Sequence, residues 1–94
     1  MKFPLGQIVA TPAALEALAE SGQTPEFFLD KHAACDFGIV SEEDRQLNLA
    51  AAQDGSRILS AFKTLLGRKI WVLTEAEDDN GHRATTTILT PECY

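Results

Sequence analysis

The chain has almost no cysteine, no long apolar run and no surplus of positive charge. Cys35 and Cys93 are its only cysteines, too few for a disulfide framework, and both thiols are expected to be reduced. No stretch approaches the ~20 apolar residues of a membrane helix. The opening Met1-Lys2-Phe3-Pro4-Leu5-Gly6 lacks the apolar core of a secretory signal. Eight Lys and Arg face fourteen Asp and Glu, a formal charge of −6, which argues against phosphate-driven binding to duplex nucleic acid. The six glycines are dispersed and form neither Gly-x-x-x-x-Gly-Lys nor Gly-x-Gly-x-x-Gly, so no phosphate cradle and no cofactor is expected. Ninety-four residues leave room for one small domain, not for a dinucleotide domain with a catalytic one.

What charge there is divides unevenly. Residues 1–55 carry three bases against nine acids, and residues 56–94 carry five of each. Four of the later acids crowd between Glu75 and Asp79, which leaves Arg57, Lys63, Arg68, Lys69 and Arg83 in locally basic surroundings. Such a chain can still hold one small anionic group.

Helix starts are written in the first half. Thr11-Pro12 and Thr24-Pro25 pair an N-cap threonine with a proline at the first helical position. They predict helices over about 12–21 and 25–35. Leu15, Leu18 and Ala19 are expected on the buried face of the first. Phe28, Leu29, His32 and Ala33 form a helical stripe on the second. Ser41 followed by three acids opens a third helix over about 41–54, with Leu47, Ala50 and Ala51 as its apolar face. The period then changes. Stretches rich in β-branched and aromatic residues predict strands over about 57–63, 69–75 and 84–90. Leu66-Gly67 and Asn80-Gly81 supply the turns between them. The expected fold is α+β, with N-terminal helices packed on a C-terminal three-stranded antiparallel β-meander. Its middle strand is apolar on both faces: Ile70 and Val72 point one way, Trp71 and Leu73 the other. Something must cover both, either the rest of the chain or a partner, a second copy included.

Candidate chemistry is sparse. His32-x-x-Cys35 with His82 and Cys93 could supply zinc ligands, but the usual Cys-x-x-Cys spacing is missing and no metal is expected. Ser60 has no Gly-x-Ser-x-Gly setting for a nucleophile. The second predicted helix has too few cations for a DNA-reading helix. Metal-independent RNA cleavage needs an acid–base group and cations for the phosphorane charge. His32 would be the acid–base group, Arg57 and Arg83 the phosphate holders, and Ser60 or Thr87 the hydrogen-bond donors. Strand parity counts against it, because Arg57 and Ser60 lie three apart. Arg57, Thr74, Glu75, Arg83, Thr86 and Thr87 form either a cross-strand polar cluster that holds register or a site on the sheet face; the first reading is the more economical.

The chain resembles the small bacterial plasmid-related proteins of plasmids and integrative elements. The likeness runs from Leu5-Gly6-Gln7-Ile8-Val9-Ala10-Thr11-Pro12 through Phe28-Leu29, His32, Glu43-Asp44 and Asn48. Its strongest part is Asp54-Gly55-x-Arg57-Ile58-Leu59-Ser60-Ala61-Phe62, followed by Ile70-Trp71-Val72 and Thr74-Glu75-Ala76. It ends in Arg83, Thr86-Thr87-Ile88-Leu89, Pro91 and Tyr94. Members often carry Trp at Phe37 and Glu at Cys93, and a hairpin shorter than the stretch 77–82. The resemblance implies a bacterial, cytoplasmic protein of mobile-element origin and implies no reaction.

Two functional expectations follow. The first is a non-enzymatic protein-interaction module that uses its sheet around Trp71 and Leu73 to bind a protein partner or a second copy, with no membrane and no duplex nucleic acid. The second is a metal-independent ribonuclease of the small toxin or barnase-like type, with RNA as substrate.

Overall fold

A computed structural model of the chain describes residues 2–94, the side chain of Cys93 excepted. Among the described residues the elements run β1 (Gln7–Ala10), α1 (Pro12–Ser21), α2 (Pro25–Ala33), α3 (Glu42–Asp54), β2 (Ile58–Lys63), β3 (Lys69–Thr74) and β4 (Thr85–Leu89). A short 3-10 turn, Pro91–Cys93, closes the chain.

Local chemistry explains the helix ends. The Thr11 hydroxyl accepts from the Ala14 N–H at 3.2 Å, and the Ser41 hydroxyl accepts from the Asp44 N–H at 3.1 Å. Thr24 begins α2 without a side-chain cap; the proline after it suffices. α2 stops two residues before the expected end. Cys35 adopts a left-handed φ of 65°, and the Asp36 N–H turns back to the Lys31 carbonyl at 2.8 Å, a helix-closing arrangement usually given to glycine.

The class is α+β, but the sheet is not a three-stranded antiparallel meander. It has four strands in the order β1-β4-β3-β2. β2–β3 and β3–β4 are antiparallel, and β1 joins β4 in parallel, Ile8 opposite Thr86 and Ala10 opposite Ile88. β1 is four residues long and mostly exposed, so no periodic signal announces it. What makes it a strand is its entry. Gly6 sits at φ +66°, where an added Cβ would lie 2.2 Å from the Arg83 carbonyl oxygen. Only glycine brings the two backbones that close. The Gln7 N–H then donates to the Ala84 carbonyl at 3.0 Å, and at the far end the Thr11 N–H donates to Ile88 at 2.9 Å.

Strand parity divides the sheet. Ile58, Ser60, Phe62, Ile70, Val72, Thr74, Thr86 and Ile88 face inward and are buried. Ala14, Ala17 and Leu18 of α1 and Phe28 and Leu29 of α2 cover part of this face. Leu15 and Ala19, expected inside, are exposed. α3 is likewise turned: Asn48 and Ala51 are its buried residues, and Leu47 and Ala50 face out. The reason is the edge of β2. The Asn48 Nδ2 donates to the Leu59 carbonyl at 2.9 Å, and the Leu59 N–H donates back to Asn48 Oδ1 at 3.2 Å. One amide thus imitates a neighbouring strand. Beside it, the Ala61 N–H and carbonyl bond to Phe37 and Ile39. Together these close an edge that would otherwise invite aggregation. Asn48→Ala is expected to cost about 2 kcal/mol, because two bonds go and a strand N–H and carbonyl lose their partners. Urea denaturation measures it.

Candidate functional site

The residues singled out for acid–base chemistry meet, but inside the protein. His32 is fully buried on the inner face of α2. Its Nδ1 lies 2.5 Å from Ser60 Oγ, and its Nε2 lies 2.8 Å from Thr74 Oγ1. Thr74 Oγ1 continues to Thr86 Oγ1 at 2.7 Å, and Thr86 donates to the Leu5 carbonyl at 2.7 Å. Only one direction of donation satisfies this row. A carbonyl only accepts, so Thr86 spends its hydrogen on Leu5 and Thr74 must donate to Thr86. His32 Nε2 must then donate to Thr74, and Nδ1 of the neutral ring accepts from Ser60. Burial, reinforced by the positive charge of Arg83, pushes the imidazole pKa down to about 4 and keeps the ring neutral at pH 7.

Arg83 stands nearby. The Phe3 ring meets the His32 ring edge-on at 5.2 Å, and the Arg83 guanidinium lies 5.6 Å from the Phe3 ring. Arg83 is buried among the described residues without a carboxylate. Its Nη1 donates to the carbonyls of Ser56 and Glu75 at 2.8 and 3.0 Å, and its Nη2 donates to that of Ala51 at 3.0 Å. Its Nε has no partner among the described residues. The guanidinium therefore ties the end of α3, the approach to β2 and the exit of β3 together.

The structure thus gathers His32, Ser60 and Arg83, with Thr74 and Thr86, on the inner side of the sheet, and leaves Arg57 and Thr87 away from them. Arg57 is exposed and lines the opposite face; Thr87 alternates with the buried Thr86 and Ile88. The proposed polar cluster splits by strand parity. Acid–base catalysis needs hydrogen-bond reach to substrate, and the buried trio offers none: Ser60 and His32 are sealed, and every ring nitrogen is engaged. As for metal, no group of three or more His, Cys, Asp or Glu side chains among the described residues is placed to hold an ion. Cys93 lies outside the described side chains.

The outer face is different. Leu73 and Leu89 are buried there, whereas Trp71 is only half-buried and meets Tyr94 edge-on at 5.4 Å. The C-terminal turn therefore covers part of the second apolar face of β3. The remainder is a groove of about 580 Å³. Leu59, Ala61 and Trp71 form its floor, and Ile39, Leu47 and Tyr94 stand along its sides. Those last three are 63%, 62% and 63% exposed, an unusual concentration of bare apolar surface around one depression. Arg57, Lys63 and Lys69 line the same groove, with Asp44 at the α3 side.

Sequence reasoning reached Trp71 by the doubly apolar strand but missed Ile39, Leu47, Tyr94, Lys63 and Lys69 as lining residues. Ile39 and Tyr94 lie in segments without period, and Leu47 reads as core from helical spacing. Comparison with protein-family models, curated proteins and solved structures finds no match. No helix among the described residues is long and apolar enough to cross a membrane.

Proposed function

We propose that this chain is a non-enzymatic interaction module that holds a partner protein in the groove on the outer face of its sheet. The observation that carries the reading is the open apolar depression around Trp71. Its volume of about 580 Å³ falls in the range of pockets that bury a small ligand, and an aromatic side chain at the centre of an apolar depression is a common build of an interface anchor. The contrast with the inner face supports it: His32, the histidine gathered with Arg83, is sealed in the core. In the same reading, the resemblance to the plasmid-related proteins makes this an accessory protein of a mobile element acting in the bacterial cytoplasm.

The test compares the wild-type chain with Leu47→Asp and Trp71→Ala in pull-downs from bacterial lysate, with RNA cleavage assayed in parallel. Leu47→Asp changes an exposed side chain and leaves the fold intact. A partner retained by the wild type and lost by both variants is the expected result, with Trp71→Ala costing at least about 2 kcal/mol of binding. Light scattering shows whether that partner is a second copy. RNA hydrolysis that disappears in His32→Gln overturns the reading in favour of a ribonuclease.

A further inference from the structure

One feature of the groove runs against the economy of the free protein. Lys63 and Lys69 sit directly opposite each other in the β2–β3 register, on the face that bears Trp71. Like charges across a strand pair are destabilising. The chain has fourteen acids with which to relieve them. Yet its ion pairs among the described residues are Lys31 with Asp36, Arg45 with Glu42 and Arg68 with Glu20. None of the three groove cations, Arg57, Lys63 or Lys69, has a carboxylate partner there. A guard against edge pairing does not account for the arrangement. Asn48 and the segment 37–39 already close β2 at Leu59 and Ala61, and Lys69 lies on an inner strand.

We infer that the groove takes an acidic, apolar polypeptide segment, its bulky side chains on Trp71 and Leu59 and its carboxylates on Lys63, Lys69 and Arg57. This rests on the reading of the chain as a binding module and names the chemistry of its partner. A polyanion such as RNA fits the groove less well. Asp44 stands on its rim, the apolar side chains along it include the aliphatic Ile39, Leu47 and Leu59 as well as Trp71 and Tyr94, and the protein as a whole carries −6. A peptide with alternating carboxylate and apolar side chains matches both the floor and the cations.

Trp71 is the only tryptophan, so its emission reports occupancy without a label. The probes are a short peptide of Glu, Leu and Phe, its counterpart with Lys in place of Glu, and single-stranded oligouridylate. The acidic peptide is expected to shift the emission of the wild-type protein, and the other two are not. Lys69→Glu is expected to raise the melting temperature, because it exchanges a repulsive cross-strand pair for an attractive one. The same change should weaken the acidic peptide about tenfold or more. Greater stability with weaker binding separates a ligand site from a structural role, since a damaged fold loses both. An affinity untouched by Lys69→Glu, or equal binding of the basic peptide, overturns the inference while leaving the binding module standing. So does a dimer that Lys69→Glu dissociates, which would make a second copy the occupant. Binding of oligouridylate alone overturns both.

Discussion

Arg83→Ala is expected to lower the unfolding free energy by about 3 kcal/mol. The figure follows from what the guanidinium holds. It donates to the carbonyls of Ser56, Glu75 and Ala51, which belong to three different parts of the fold, and charge-assisted bonds of this kind are worth about 1.5–3 kcal/mol each before the cost of burying the ion is counted. Truncation releases that burial cost, so the bonds do not sum. It also strips the Ser56 and Glu75 carbonyls of the partner that Arg83 supplies and empties space beside Phe3. The Ala51 carbonyl suffers least, because it also accepts from the Gly55 N–H at 3.0 Å. Arg83→Lys should recover less than half of the loss, since one ammonium does not span the positions a planar fork reaches. Against the roughly 5–14 kcal/mol available to a domain of this length, such a deficit is easily read from urea midpoints. A loss below about 1 kcal/mol would mean the guanidinium is dispensable and that backbone pairing alone holds the β3–β4 connection.

Acid should weaken the fold through His32, and over a defined window. The imidazole titrates near 6.5 when unfolded and at about 4 in the folded protein. Above pH 6.5 the ring is neutral in both states and stability does not depend on it. Between 6.5 and 4 the unfolded chain binds a proton that the folded chain refuses, so stability falls as pH falls. The total is about 3 kcal/mol, at up to about 1.4 kcal/mol per pH unit. Below pH 4 both states carry the proton and this contribution is flat. Urea denaturation at pH 7, 6 and 5 measures the slope, above the range in which ordinary carboxylates titrate. His32→Gln should be less stable at pH 7, because the Ser60–His32–Thr74 row is broken, but its stability should change far less from pH 7 to 5. A slope identical in the two proteins would show that His32 does not supply it. The two predictions are linked. Arg83 contributes to the depressed pKa, so Arg83→Ala should also move the acid step toward higher pH.

The sequence announced the local events, and for a clear reason. Thr11-Pro12, Thr24-Pro25 and Ser41 mark helix starts because cap chemistry acts within four residues. The stripe of Phe28, Leu29, His32 and Ala33 and the two-sided β3 follow from the periods of helix and strand. β1 was illegible because its partner β4 lies more than seventy residues away and the decisive feature is a backbone contact at Gly6. The buried polar row was equally hidden. It joins four side chains from α2, β2, β3 and β4, and no spacing within one element reveals it. His32 read as either catalyst or core, and only the fold shows that it is buried.

By itself, then, the order of residues determined the three helices with their approximate starts, three of the four strands and the need to shelter both sides of Trp71's strand. These depend on caps, turn residues and side-chain alternation, which act over a few residues. Tertiary structure decided which helix faces turn inward, which polar groups become neighbours and where shelter remains incomplete. Each depends on segments distant in sequence, whose meeting is set by the total apolar area buried and by every interior donor finding an acceptor. The groove is the remainder of that settlement: the C-terminal turn covers part of the outer face, and the lysine pair beside it is left without an internal counter-charge.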